Sequence, residues 1–143
     1  MLRPLYITDT QKLHHINQTQ LGYDFPLDST AQQLEKLLVD SHHYFLGYVK
    51  PETDELMGYV HAEVYESTYA LPLFNVLALA VDANSTGKGL GKTLMQGLEK
   101  EAEIRGLAGI RLNSGEARTE AHKFYAAIGY TNDKTQKRFL KLL

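Results

Sequence analysis

The stretch from Leu73 to Arg105 constrains this chain more than any other. Leu73 to Val81 is apolar except for Asn75, the pattern of a central strand covered on both faces. Gly87, Gly89 and Gly91 follow within a short turn, and a helix is then expected from about Gly89 to Arg105, with Leu90, Leu94, Met95, Leu98 and Ala102 sharing one face. Glu99, Lys100, Glu101 and Glu103 mostly solvate the other face, and Gly106 ends the helix. A buried strand that runs through a glycine turn into an amphipathic helix requires a sheet with helices laid on it.

The flanking segments complete that picture. Thr8 or Asp9 caps a first helix carrying Leu13 and Ile16 and ending at Leu21-Gly22, and Asp28-Ser29-Thr30 caps a second with Leu34, Leu37 and Leu38, closed by Asp40-Ser41. His43 to Lys50 and Glu55 to Glu66 read as an antiparallel hairpin around Pro51-Glu52-Thr53-Asp54. Along the second strand Leu56, Gly58, Val60, Ala62 and Val64 alternate with Met57, Tyr59, His61, Glu63 and Tyr65, so one face is apolar and the other aromatic and ionisable. Ala108 to Asn113 reads as a strand, Thr119 to Ile128 as a helix stopped by Gly129, and Tyr130 and Phe139 to Leu143 as two closing strands. The order predicts one α/β domain over residues 1–143, built on a mixed, mostly antiparallel sheet with helices on both faces.

Composition narrows the chemistry. A chain of 143 residues with 15 Lys+Arg against 17 Asp+Glu and no Cys needs no disulfide framework, offers no thiolate, and lacks the positive charge of a general nucleic-acid binder. Its longest unbroken apolar run, Val76 to Val81, is far short of the about twenty residues of a membrane-spanning helix. No signal-peptide core precedes Asp9, so a cytoplasmic location is expected. The adjacent pairs His14-His15 and His42-His43 do not turn both rings to one metal, so no metal site is predicted.

The turn Val81-Asp82-Ala83-Asn84-Ser85-Thr86-Gly87-Lys88-Gly89-Leu90-Gly91-Lys92-Thr93 has the makings of an anion site: close backbone approach at the glycines, free N–H groups and the positive dipole end at the helix start, and two lysines. A nucleoside-triphosphate loop requires G-x-x-x-x-G-K-[ST], and its first glycine falls on Thr86. The dinucleotide fingerprint G-x-G-x-x-G requires glycine at Lys92.

Thr86-Gly87-Lys88-Gly89-Leu90-Gly91 resembles the acetyl-CoA loop of the GNAT superfamily, [QR]-x-x-G-x-[GA], with Thr86 where Gln or Arg is usual and Ala83 at a frequent proline position. Asn113-Ser114-Gly115-Glu116-Ala117-Arg118-Thr119-Glu120-Ala121-His122-Lys123-Phe124-Tyr125-Ala126-Ala127-Ile128-Gly129-Tyr130 is similar to the family's A-x-x-F-Y-x-x-x-G-[FY] segment, in a form that looks like a bacterial small-molecule N-acetyltransferase branch. The two motifs stand in family order and cover the chain from about residue 45 onward.

The resemblance implies a GNAT fold in which the strand at Leu73–Val81 splays from the parallel strand at Ala108–Asn113, and acetyl-CoA as acyl donor. It assigns the pantetheine to the backbone at Leu79, Ala80 and Val81, and the pyrophosphate to Thr86, Gly87, Lys88, Gly89, Leu90, Gly91, Lys92 and Thr93. Asn113 and His122 match positions that often contact CoA, and Tyr125 stands at the usual general-acid position. Glu63 and His61 are the base candidates on the strand face turned to the acceptor. The expected activity is transfer of an acetyl group to a primary amine of a small molecule or an exposed protein amine, in a homodimer. Loops at Leu21–Asp28 and Glu66–Pro72, with Tyr23, Phe25, Tyr65 and Tyr69, are the acceptor side. A non-catalytic acyl-CoA-binding domain is the alternative, and a P-loop hydrolase, kept open by Gly91-Lys92-Thr93, is the third reading.

Overall fold

Alternation and turn chemistry build a five-stranded sheet in the computed structural model, which describes residues 1–143. The strands are β1 (Leu2–Arg3), β2 (His43–Val49), β3 (Leu56–Tyr65), β4 (Leu73–Val81) and β5 (Ile110–Leu112), and they lie in that order across the sheet. All neighbours are antiparallel except β4 and β5, which are parallel. The helices are α1 (Thr10–Leu21), α2 (Leu27–Leu38), α3 (Leu90–Ile104) and α4 (Thr119–Ala127). The chain divides into two compact units, Met1–Leu112, which holds the whole sheet and α1 to α3, and Asn113–Leu143, which holds α4.

In the larger unit the pleat sends alternate residues to opposite helices. Leu13 and Ile16 of α1 and Leu34 of α2 form one core with Phe45, Tyr59 and Ala80. On the other face Gly97 of α3 stands so close to Leu46 that a Cβ there would meet its side chain at 2.4 Å. The aromatic and ionisable face of β3 is covered by α1 and α2 at Tyr59, which is 3% exposed, and opens toward its far end, where Tyr65 is 38% exposed. Ends are set as the sequence suggests, with Gly22 left-handed at the close of α1 and Asp54, at φ 60°, turning the β2–β3 loop.

Several expectations change. Helix α2 begins at Leu27, one residue before the expected cap, because Pro26 supplies the extended entry at φ −57° and ψ 144°. The strand expected over Ala108–Asn113 pairs only at Ile110–Leu112, and Leu2–Arg3 adds a short edge strand without a sequence pattern of its own. The closing strands expected at Tyr130 and Phe139–Leu143 do not form: no strand or helix follows α4, and Phe139 is 90% exposed. Apolar content gives a segment the means to be buried, but a strand exists only through a ladder, and polar Thr131 to Arg138 offers none.

Candidate functional site

The β3–β4 ladder contains the irregularity on which the site is built. His61 pairs with Ala78 and Ala62 with Val76, so Leu77 is an extra residue that bulges from β4 and is 45% exposed. The β4–β5 ladder covers only Phe74 to Val76. Beyond the bulge, β4 continues to Val81 with β3 alone beside it. The Asp82 N–H donates to the Met57 carbonyl at 2.8 Å, which makes Asp82, Ala80 and Ala78 the residues bonded to β3. Leu79 and Val81 consequently turn their N–H and C=O groups to the open edge, where an extended amide chain adds as a strand does.

The edge leads into the glycine turn. Asp82 is 6% exposed; its carboxylate takes the Lys12 ammonium at 2.9 Å, and that bond, opposed by partial desolvation, holds its pKa below the usual range. The Ser85 N–H donates back to the Asp82 carbonyl, closing a short 3-10 turn over Ala83–Ser85. Gly87 and Gly89 stand at φ 77° and 75°, and a Cβ on either would meet nothing within 4 Å, so the space over both is open. Thr93 makes the first main-chain bond of α3, to the Gly89 carbonyl at 3.1 Å, which leaves the amides of Leu90, Gly91 and Lys92 outside the helical ladder. No side chain caps them. These amides, with exposed Lys88 and Lys92, suit a pyrophosphate. The Thr86 hydroxyl donates to the Ala83 carbonyl at 3.1 Å and the Thr93 hydroxyl to that of Gly89, so both stabilise the turn from within.

On the α1–α2 side of β3 the base candidates part company. His61 lies flat on the Phe45 ring at 3.9 Å between centroids, and its Nε2 is 3.0 Å from Nδ1 of His43, one ring donating to the other. Burial, with His43 second, pushes the His61 pKa down to about 4. Glu63 is half-buried and pairs across the sheet with His43 on one side and Asn75 on the other. Asn75 accepts from the Arg111 guanidinium at 2.6 Å, and that guanidinium also lies 4.6 Å over the Tyr65 ring. The partnership of His43 with His61 escapes sequence reading, since it depends on β2–β3 register; the shared spacing of His43 and Phe45 on one strand face is the only trace of it.

A cavity of about 140 Å³ opens beside His61, and Phe25 of the expected acceptor loop lines it, whereas Tyr23 and Tyr69 are exposed. A larger hollow of about 550 Å³ lies at the β2–β3 turn, but its charges are already paired: Arg3 with Asp9 and Asp54, Lys12 with Glu55 and Asp82.

In the smaller unit, Tyr125 is half-buried between Phe124 and Tyr130, at 5.1 and 6.0 Å between ring centroids. Burial raises its phenol pKa against the opposing pull of Arg118, so it is protonated at neutral pH. The His122 ring N–H donates to the Gly115 carbonyl at 2.9 Å and ties the start of α4 to the preceding loop, where Asn113 is exposed.

The sequence model of the acetyltransferase (GNAT) family matches residues 10–130. A search of curated proteins finds no significant match. Among solved structures, a transcriptional regulator from Bacillus halodurans superposes with a TM-score of 0.87 at 15% identity, covering 99% of each chain. An aminoglycoside acetyltransferase from an uncultured soil metagenomic sample gives 0.83 at 22% identity, covering 100% of this chain and 95% of the other. A ribosomal-protein-alanine N-acetyltransferase from Brucella melitensis biovar Abortus gives 0.78 at 22%, covering 99% of each.

Proposed function

Because the chain belongs to the GNAT acetyltransferase family, we propose that it is a cytoplasmic N-acetyltransferase that moves the acetyl group of acetyl-CoA to a primary amine of a small molecule or of a protein. The observation that carries this reading is the continuity of the open β4 edge at Leu79 and Val81 with the uncapped amides of Leu90 to Lys92. The edge matches the amides of pantetheine, and the helix start matches a pyrophosphate. Bound acetyl-CoA supplies an activated acyl group.

The reaction asks three things of the protein. The N–H of Leu79 is turned to the edge and donates to the thioester oxygen, where charge develops as the amine attacks. The amine nitrogen bonds to the acyl carbon as the carbon–sulfur bond breaks, and the amine loses a proton. We assign that proton to Glu63, directly or through water, since His61 has a pKa near 4 and a ring nitrogen already engaged by His43. Tyr125, which keeps its proton at neutral pH, is assigned by the family motif as the donor to the departing thiolate. Asn113 and His122 are assigned to CoA contacts by that motif alone.

Calorimetric titration with acetyl-CoA and with ATP tests the donor. One-site binding of acetyl-CoA without ATP binding is expected; the reverse result, or no acetyl-CoA binding by folded protein, would sink the proposal. Tyr125→Phe is expected to lower turnover by about 10²-fold with acetyl-CoA affinity kept, and unchanged thiol release in that variant would remove Tyr125 from the chemistry.

A further inference from the structure

The cavity beside His61 has a chemistry of its own. Its walls are Leu13, Leu34, Leu37 and Phe45, with Tyr59 and Phe25. Leu13, Leu34, Phe45 and Tyr59 are buried, while Phe25, 48% exposed, sits at the surface in the segment between α1 and α2. That segment is held in place by the His14 ring N–H, which donates to the Phe25 carbonyl at 2.8 Å. The polar atoms of the wall are largely satisfied from within. The Tyr59 hydroxyl donates to Asn17 Oδ1, and the Thr30 hydroxyl to the Pro26 carbonyl at 3.0 Å.

No Asp, Glu, Lys or Arg lines the cavity. A cationic or anionic group entering it would leave water without meeting a counter-charge, which is strongly unfavourable. An apolar group gains, and the volume sets its size: about 140 Å³ is close to the about 150 Å³ apolar cavity that admits one benzene. Position adds the rest. His61 pairs with Ala78, next to the Leu77 bulge, so the strand that carries the His61 wall of the cavity lies one strand spacing, ~5 Å, inside the β4 edge. A short carbon chain spans that spacing.

We propose that this cavity is the side-group pocket of the acyl acceptor, and that the acceptor is a primary amine bearing one uncharged apolar group of about six carbons, aryl or branched alkyl, on a short chain. The side chains of Asn17 and Gln33 also line the cavity, the Asn17 oxygen being taken by the Tyr59 hydroxyl. Polycationic amines are excluded from it by the missing carboxylates. The inference rests on the acetyltransferase reading for its kinetic test but not for its binding test.

Thiol release is measured with acetyl-CoA and, in turn, phenethylamine, ethanolamine and spermidine. The kcat/KM for phenethylamine is expected to exceed the other two by about tenfold or more. Leu37→Phe, which fills the cavity from its half-buried rim, is expected to bring that ratio near one. A ratio near one in the unaltered protein, or a ratio that survives Leu37→Phe, overturns the proposal. Should acetyl-CoA fail to bind, the acetyltransferase reading falls by itself, and the cavity is judged by titrating the free protein with phenethylamine. Saturable shifts of the His61 ring signals uphold it, and their absence overturns it; this second measurement also serves if the variant does not fold.

Discussion

His61 carries a charge penalty that the rest of the fold keeps hidden at neutral pH. Its ring is buried against Phe45 and joined to His43, and its pKa falls from 6.5 to about 4. The unfolded chain therefore binds a proton more readily than the folded one between these values, so stability is full above pH 6.5 and falls as pH drops through that window. The loss attributable to this ring approaches about 3 kcal/mol at pH 4. The titratable groups near it are His43 and, two residues along its own strand, Glu63, while the ion-paired carboxylates of Asp82 and Glu55 have lowered pKa values and give way only in stronger acid. Urea midpoints at pH 7 and pH 4.5 are expected to separate widely for the natural protein and less for His61→Phe; equal separations would mean that the ring is solvated. A second residue, Lys12, joins α1 to the end of β4 through Asp82. Lys12→Ala leaves that carboxylate without its partner, and the expected loss is about 1 kcal/mol in the same denaturation assay.

The turn between β4 and α3 places function in backbone conformation. Gly87 and Gly89 take positive φ with open space above them, so an added methyl meets no protein atom and its expense is conformational, about 1–2 kcal/mol. Gly106, at φ 72° beyond the other end of α3, is the matching control. Gly89→Ala and Gly106→Ala are expected to lower stability alike, but only Gly89→Ala to weaken acetyl-CoA binding, by about tenfold or more; equal affinities in both variants would place the pyrophosphate elsewhere. This turn was legible in the sequence because only glycine takes such angles freely, and Gly87 and Gly89 directly ahead of a helical pattern mark a backbone kept bare for close approach, while Gly91 lies inside α3. The alternation of β3 was legible for the same local reason from Gly58 onward, but at its start the pairing steps from Tyr48–Gly58 to Val49–Leu56, and Leu56 joins the core of Tyr59 instead of the opposite face. What escaped depends on partners distant in the chain: the Leu77 bulge, the halt of the β4–β5 ladder at Val76, and the meeting of His43 with His61. Phe139–Leu143 shows the converse, an apolar stretch read as a strand where no ladder receives it.

That stretch bears on the association of the whole molecule. Phe139, Leu140, Leu142 and Leu143 are 90%, 64%, 83% and 113% exposed, a run of large apolar side chains that water solvates poorly. Its backbone belongs to no helix or strand, so its N–H and C=O groups are available for a ladder with another chain. Lys141, the one charge within the run, is compatible with an alternating strand that turns one face to solvent. Pairing between two copies would satisfy both needs at once, and it is the economical route to a closed, two-fold assembly. The protein is therefore expected to sediment as a dimer at micromolar concentration. Leu140→Asp with Leu142→Asp places two like charges on the face opposite Lys141, where the apolar side chains would meet, and is expected to shift it to monomer while leaving the helical signal of α1 to α4 in place. A dimer that persists in this double variant would show that association uses another surface, and a monomer in the unaltered protein would leave the run without a partner of its own kind.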